Sequence, residues 1–177
     1  SGFEKLGEHL DYNQYVTITD RMNYISPVAN NVAWHGAVEK LLGIEITPRF
    51  SDVDAQQHLN NARLTEFYQE ARVLFYTRLD QEHASRRPAG SRYLVAHIAI
   101  DYLAEVNYPQ PVTMKVGVAH IGRTSHTLAI ALFSEGRCAG LAKVVLVNSD
   151  ENGPAPIPQE WRETLSRYLL PPDLSDQ

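Results

Sequence analysis

Between Ala62 and Leu79 the apolar residues Leu64, Phe67, Tyr68, Ala71, Leu74, Phe75 and Leu79 recur at spacings of three and four. That period predicts one long helix with a wide apolar stripe, about five turns in length. A helix of that length in a chain of 177 residues needs a large apolar surface to cover it. The rest of the chain supplies one. Beyond the loop "RRPAGSR" come four β-rich runs, "YLVAHIAIDYL", "PVTMKVGVAHIG", "SHTLAIALF" and "RCAGLAKVVLVN". The turns "GRT" and "SEG" separate the later runs, the pattern of an antiparallel meander. A further strand is expected over Ile44–Phe50, where Pro48 favours a sheet edge. "PIPQEWRETLSRYLL" reads as a short C-terminal helix, with Pro158 near its first turn and Pro171-Pro172 after its end. The expected class is therefore α+β: an antiparallel sheet of five or more strands against one long central helix.

Residues 1–43 read as an N-terminal extension, 44–170 as the main domain and 171–177 as a tail. In the extension, Tyr15–Thr19 suggests a short strand. Asn31 caps a helix whose apolar face is Trp34, Ala37, Val38, Leu41 and Leu42, with Gly43 as its stop. Trp34 and the Leu41-Leu42 pair need burial, so the extension is expected to cover the sheet or an interface. Hydrophobic residues make up 44% of the chain and charged ones 21%, enough for a core held by burial alone. A net charge of −5 argues against nucleic acid as a partner. The cluster Arg86, Arg87 and Arg92 is either a solvated loop or a contact for phosphate groups. No apolar run approaches the ~20 residues of a membrane span, and the first residues do not resemble a signal peptide. A single cysteine, Cys138, excludes an internal disulfide and accords with a cytoplasmic location. It lies within a strand run and reads as a small apolar filler.

Directly ahead of the long helix stands "RFSDVDAQQHLNNARLTEFYQEAR". Asn60 or Asn61 suits the N-cap, and Asp52 suits a turn or cap. The helix's first N–H groups and the positive end of its dipole favour a bound negative charge, such as an oxyanion. Asp54 and His58 exceed what capping requires and are candidates for chemistry. Asp52, Asp54 and His58 do not make a calcium loop, since its sixth position is Gln57 and its twelfth Arg63; no metal is expected. No Gly-x-Ser-x-Gly occurs. Glu66 and Glu70 fit the helix's polar face and are alternative carboxylates. His97 and Asp101 share one side of a strand and suggest a polar pair or an interface.

"FSDVDAQQHLNNARLTEFYQEAR" resembles the signature of the hotdog-fold acyl-coenzyme A thioesterases of the 4-hydroxybenzoyl-CoA thioesterase type. The likeness continues through "IAIDYLAEVNYPQPVTMKV", "HIGRTSHTLAIAL", "AKVVLV" and "PIPQEWRETL", covering about residues 44–169. It implies a hotdog fold, with the sheet wrapped around the central helix. It makes Asp54 the catalytic carboxylate and puts a carbonyl-polarising backbone N–H at Gln57 and His58. Asn60, Asn61 and the turn residues Arg123, Thr124 and Ser125 become candidates for substrate contact. Coenzyme A is then part of the substrate, no cofactor is needed, and the active sites form between subunits of a homodimer or homotetramer. Three positions depart from the family pattern: Gln57 replaces the usual Gly before the His, Leu64 an early Tyr, and Gln69 the first Glu of Glu-Glu-Ala-Arg.

One carboxylate suffices for such a reaction, because a thiol leaving group with a pKa near ~8.5 departs without a strong acid behind it. A positioned base and one backbone donor supply the rest. A hotdog enoyl-CoA hydratase, whose Asp and His lie several residues apart, and a non-catalytic acyl-CoA binding module remain open as alternatives.

Overall fold

A long helix and a curled sheet enclose most of the core, to which a short C-terminal helix adds Trp161 and Leu165. The computed structural model describes residues 41–54, 57–82 and 92–171. The expected strand Tyr15–Thr19, most of the helix from Asn31, and Arg86 and Arg87 lie outside the described residues. In chain order the elements are β1 (Leu42–Ile46), a single 3-10 turn (Phe50–Asp52), α1 (Asn61–Glu82), β2 (Arg92–Tyr102), β3 (Val112–Ile121), β4 (Ser125–Ser134), β5 (Arg137–Asp150), the two-residue β6 (Gly153–Pro154) and α2 (Gln159–Ser166). The strands form a six-stranded sheet in the order β1-β3-β4-β5-β2, with β6 paired to β5. Every pairing between these strands is antiparallel. This is the expected α+β hotdog arrangement.

Alternation along the strands sets the inner face. Val112, Met114, Val116 and Val118 of β3, Leu128, Ile130 and Leu132 of β4, and Ala142, Val144 and Leu146 of β5 are all buried. They meet Leu64, Phe67, Tyr68, Ala71, Phe75 and Leu79 of α1 in one cluster. Register shifts at Val95/His97, Val118/His120 and Leu132/Phe133 mark β-bulges, which bend strands and let a sheet curl around a helix. Gly140 answers a close approach: a Cβ there would collide with the Tyr68 hydroxyl. The β4–β5 turn uses Glu135 (φ 51°) and Gly136 (φ 77°), the two positive torsions of a tight hairpin.

Several boundaries differ from the sequence reading. β1 ends at Ile46 instead of Phe50, because Pro48 offers no N–H to the ladder and the chain turns at Phe50–Asp52. Leu42 and Gly43 begin that strand and do not end a helix. The edge position expected from Pro48 holds. β3, β4 and β5 form the expected meander, but β2 does not sit beside β3. It crosses to the far edge and pairs with β5. The connection that makes this crossing, 103–111, passes the N-terminal end of α1, where the Leu59 amide donates to the Val106 carbonyl at 2.9 Å. Pro158 is the N-cap of α2, and Trp161, Thr164 and Leu165 are that helix's buried face. No helix among the described residues is long and apolar enough to cross a membrane.

At the C-terminal half of α1, Tyr76 stacks on Tyr93, and both rings meet His126 edge-on. The Tyr76 hydroxyl bonds His126 Nε2, while His126 Nδ1 is buried with no partner among the described residues. Burial therefore lowers the imidazole pKa from 6.5 to about 4. Above pH 6.5 the ring is neutral whether the chain is folded or not. Below that, the unfolded chain takes up a proton that the folded one refuses. Stability is accordingly expected to fall by about 3 kcal/mol on acidification through this interval. Urea titrations across it should show a shallower acid slope for His126→Phe than for the natural chain.

Candidate active site

The approach to α1 is a loop tied to itself by its own polar groups. Asp52 is buried; its Oδ2 accepts the Arg49 amide at 2.7 Å, and its Oδ1 lies 3.8 Å from Arg63 Nε. The Asp52 carbonyl also accepts the Asn60 amide at 2.9 Å. Asp52 is thus a cap and tether, as its turn-like context suggested. Asn60 is the N-cap of α1, its Oδ1 accepting the Ala62 amide at 2.8 Å. Asn61 is the first residue of the helix.

Asp54 is half-buried and faces a cleft of about 600 Å³. His58, Asn61, Leu64, Tyr102, Glu105 and Arg137 share that cleft, with Leu59, Leu103 and Val106 among its apolar walls. Asp54 and His58 are bonded twice: Asp54 N donates to the His58 carbonyl at 2.8 Å, and His58 N donates to the Asp54 carboxylate, Oδ1, at 3.3 Å. Gln57 N donates to Asp54 O at 3.1 Å. The amides of Gln57 and His58, the expected carbonyl-polarising donors, are thus engaged within the loop. The Asn61 N–H, by contrast, meets no acceptor among the described residues, and Asn61 lines the cleft. Among the described residues the unengaged donor at the cleft is thus the Asn61 N–H, at the first residue of the helix.

Gln57 adopts φ 67°, in the left-handed region. The related family usually places Gly here, and the torsion explains why. Any other residue in that region carries roughly 1–2 kcal/mol of strain. The Gln57 side chain is exposed and does not line the cleft, so it leaves the pocket's width unchanged.

The other candidates divide clearly. Glu66 is exposed and receives Arg63 Nη1 on both carboxylate oxygens at 2.8 and 2.9 Å, a pair on the helix surface. Glu70 is exposed too, and neither glutamate lines the cleft. His97 and Asp101 are exposed on the edge strand β2. Cys138 is buried, and burial raises its thiol pKa to about 11, leaving it a protonated filler. No group of three metal-ligating side chains occurs among the described residues. Arg123, Thr124 and Ser125 are not in this cleft. Their turn is held by Asn148 N→Thr124 O at 2.8 Å and by Arg162 Nη2→Gly122 O at 2.8 Å. Ser125 pairs with Val147, ten residues along β5 from Arg137 at the cleft. At ~3.3 Å per residue the two lie roughly 30 Å apart.

Sequence reasoning missed Tyr102, Glu105 and Arg137. The Tyr102 hydroxyl lies 2.9 Å from Thr65 Oγ1 and donates to Asn61 O at 3.2 Å, fastening β2 to the helix start. Glu105 Oε2 stands 3.2 Å from His58 Nε2. Nothing local in the sequence links these residues to Asp54, because they come from the end of β2 (Tyr102), the β2–β3 crossing (Glu105) and the start of β5 (Arg137), which only the fold brings together.

A sequence model of the thioesterase-like superfamily matches residues 48–165. The chain belongs to the thioesterase-like superfamily. Among solved structures it is similar to a predicted thioesterase from Bacillus stearothermophilus, at 26% identity over 73% of this chain and 96% of that one, with a TM-score of 0.63. It is also similar to a thioesterase from Thermus thermophilus complexed with coenzyme A and Zn (26% identity, 71% and 91% coverage, TM-score 0.60). A separate, short likeness is to one of the subunits of NADH-quinone oxidoreductase. The Akkermansia muciniphila protein is 56% identical over 48 residues, and that of Leptospira biflexa 51% over 51 residues. The matched stretches are 27% and 29% of this chain, which spans only 12% and 13% of those curated relatives.

The left-handed torsion at residue 57 gives a direct test. Gln57→Gly is expected to stabilise the fold by up to about 1 kcal/mol, net of glycine's greater unfolded-state freedom, whereas Gln57→Val should destabilise it by a similar amount. Thermal melts of the two variants measure both.

Proposed function

We propose that this protein hydrolyses an acyl-coenzyme A thioester to a free acid and coenzyme A, with Asp54 as general base or nucleophile. The observation that carries this is that Asp54 and Asn61, the first residue of α1, line one cleft. As base, Asp54 takes a proton from water while the water oxygen bonds to the thioester carbon. The carbonyl electron pair moves to oxygen, where the Asn61 amide and the helix dipole stabilise it, a contribution of roughly 3 kcal/mol for one good donor. Collapse restores the carbonyl, breaks the C–S bond and releases the thiolate, which the proton held by Asp54 can neutralise. As nucleophile, Asp54 would instead form an anhydride that water then cleaves. Hydrolysis in ¹⁸O-water under single-turnover conditions tests the second route: label in Asp54 establishes an anhydride opened at the Asp54 carbon, whereas direct water attack labels only the product acid. The Thermus thermophilus relative solved with coenzyme A supports the substrate class. No cofactor enters the scheme; coenzyme A is part of the substrate. A cytoplasmic setting belongs to the same reading, supported by the lone free thiol of Cys138.

The working unit in this proposal is a homodimer, or a homotetramer built from dimers. β2 is an edge strand of 11 residues that exposes Leu94, Val95, Ile98 and Tyr102, a row suited to pairing with a second copy. Because Arg123, Thr124 and Ser125 lie so far from their own Asp54, they can serve as coenzyme A contacts only at a neighbouring subunit's cleft. The single-chain distances thus favour a shared site.

Asp54→Asn should reduce thiol release from a panel of short, long and aromatic acyl-CoA esters at least ~100-fold, with fold and assembly unchanged. Near-normal turnover would remove Asp54 from the mechanism. Ile98→Asp should yield a folded monomer in sedimentation velocity, and its activity should fall with the loss of the dimer.

A further inference from the structure

The cleft holds a second acidic group whose place is fixed by backbone on three sides. Glu105 lies in the β2–β3 crossing. Leu59 N donates to Val106 O at 2.9 Å, His58 forms an antiparallel bridge with Asn107, and Leu103 N and Ala104 N both donate to Ala139 O, at 2.9 and 3.2 Å. These bonds bring the Glu105 carboxylate to the His58 ring, Oε2 to Nε2 at 3.2 Å. His58 is thereby gripped twice. Its main chain is tied to Asp54, and its ring meets Glu105. Both side chains, with that of Asp54, line the same cleft.

Folding does not account for this pair. The Glu105 side chain is 73% exposed and that of His58 30%, and pairs so open to solvent add little to stability. What the contact does fix is the imidazole. A carboxylate accepting from Nε2–H selects one tautomer and one ring orientation, leaving Nδ1 with the lone pair. We propose that Glu105 is a positioning residue. It holds the His58 ring so that Nδ1 accepts a hydrogen bond from the water, or from a polar group of the substrate, next to Asp54. Asp54 remains the group that takes the proton; His58 only orients. This rests on the thioesterase reading above and assigns to His58 a supporting carboxylate.

Glu105→Gln, Glu105→Asp and Glu66→Gln as a surface control are the informative variants. Glu105→Gln should lose about five- to tenfold in kcat with KM within twofold, as fits an exposed orienting group in place of a buried one. Glu105→Asp should recover most of that loss, and Glu66→Gln should match the natural chain. In ¹⁵N NMR, the His58 ring of the natural protein should report a single Nε2–H tautomer and that of Glu105→Gln a mixture. An imidazole signal unchanged by Glu105→Gln would overturn the proposal, as would a wild-type kcat in that variant. If the natural chain cleaves no acyl-CoA ester at all, the thioesterase reading fails, and the ring spectra still decide the Glu105–His58 pairing.

Discussion

The burial of one helix stripe by one sheet face is the constraint on which the other features depend. Leu64, Phe67, Tyr68, Ala71, Phe75 and Leu79 run the length of α1 and meet the inner residues of β1, β3, β4 and β5 in a single cluster. With contacts spread along its axis, the helix can neither slide nor rotate without exposing several large side chains. Its first turn is therefore fixed in space, and the loop carrying Asp54 is anchored to that turn. A functional group on a loop gains its accuracy from the rigid element it abuts.

That loop also shows how one set of polar atoms can serve structure and chemistry together. Asp52 and Asn60 take up backbone donors around the turn, so those groups need no ligand. Asp54 is bonded within the loop yet still borders the cleft. Asp52 and Asn60 are not among the residues lining the cleft, whereas Asp54 and His58 are.

Periodicity made the long helix and the β runs legible in the sequence, because a three-to-four spacing and a two-residue alternation are local signals. The termini of those elements were less so. Pro48 and the Asp52 cap end β1 early, and such caps work over one or two residues. The place of β2 at the far edge was not legible, since strand order depends on pairings remote in sequence. For the same reason Tyr102, Glu105 and Arg137 carried no sign of their closeness to Asp54. At the site, Asp54 and the capping Asn60 were readable from residue type next to a helix start. The engagement of the Gln57 and His58 amides was not, because whether a backbone donor is occupied depends on the folded path of a few neighbours. The far-off location of Arg123–Ser125 likewise emerges only from the register of β4 on β5.

Gln57 bears on how sequences of this kind are to be compared. At this corner the chain needs a particular backbone rotation, and glycine is merely the residue that accepts it most easily. Gln57 accepts it as well, at some energetic disadvantage, held there by the bonds Gln57 N→Asp54 O and Asp54 N→His58 O. A pattern that insists on glycine there would pass over proteins whose main chain follows the same course, while one keyed to the torsion would gather them in.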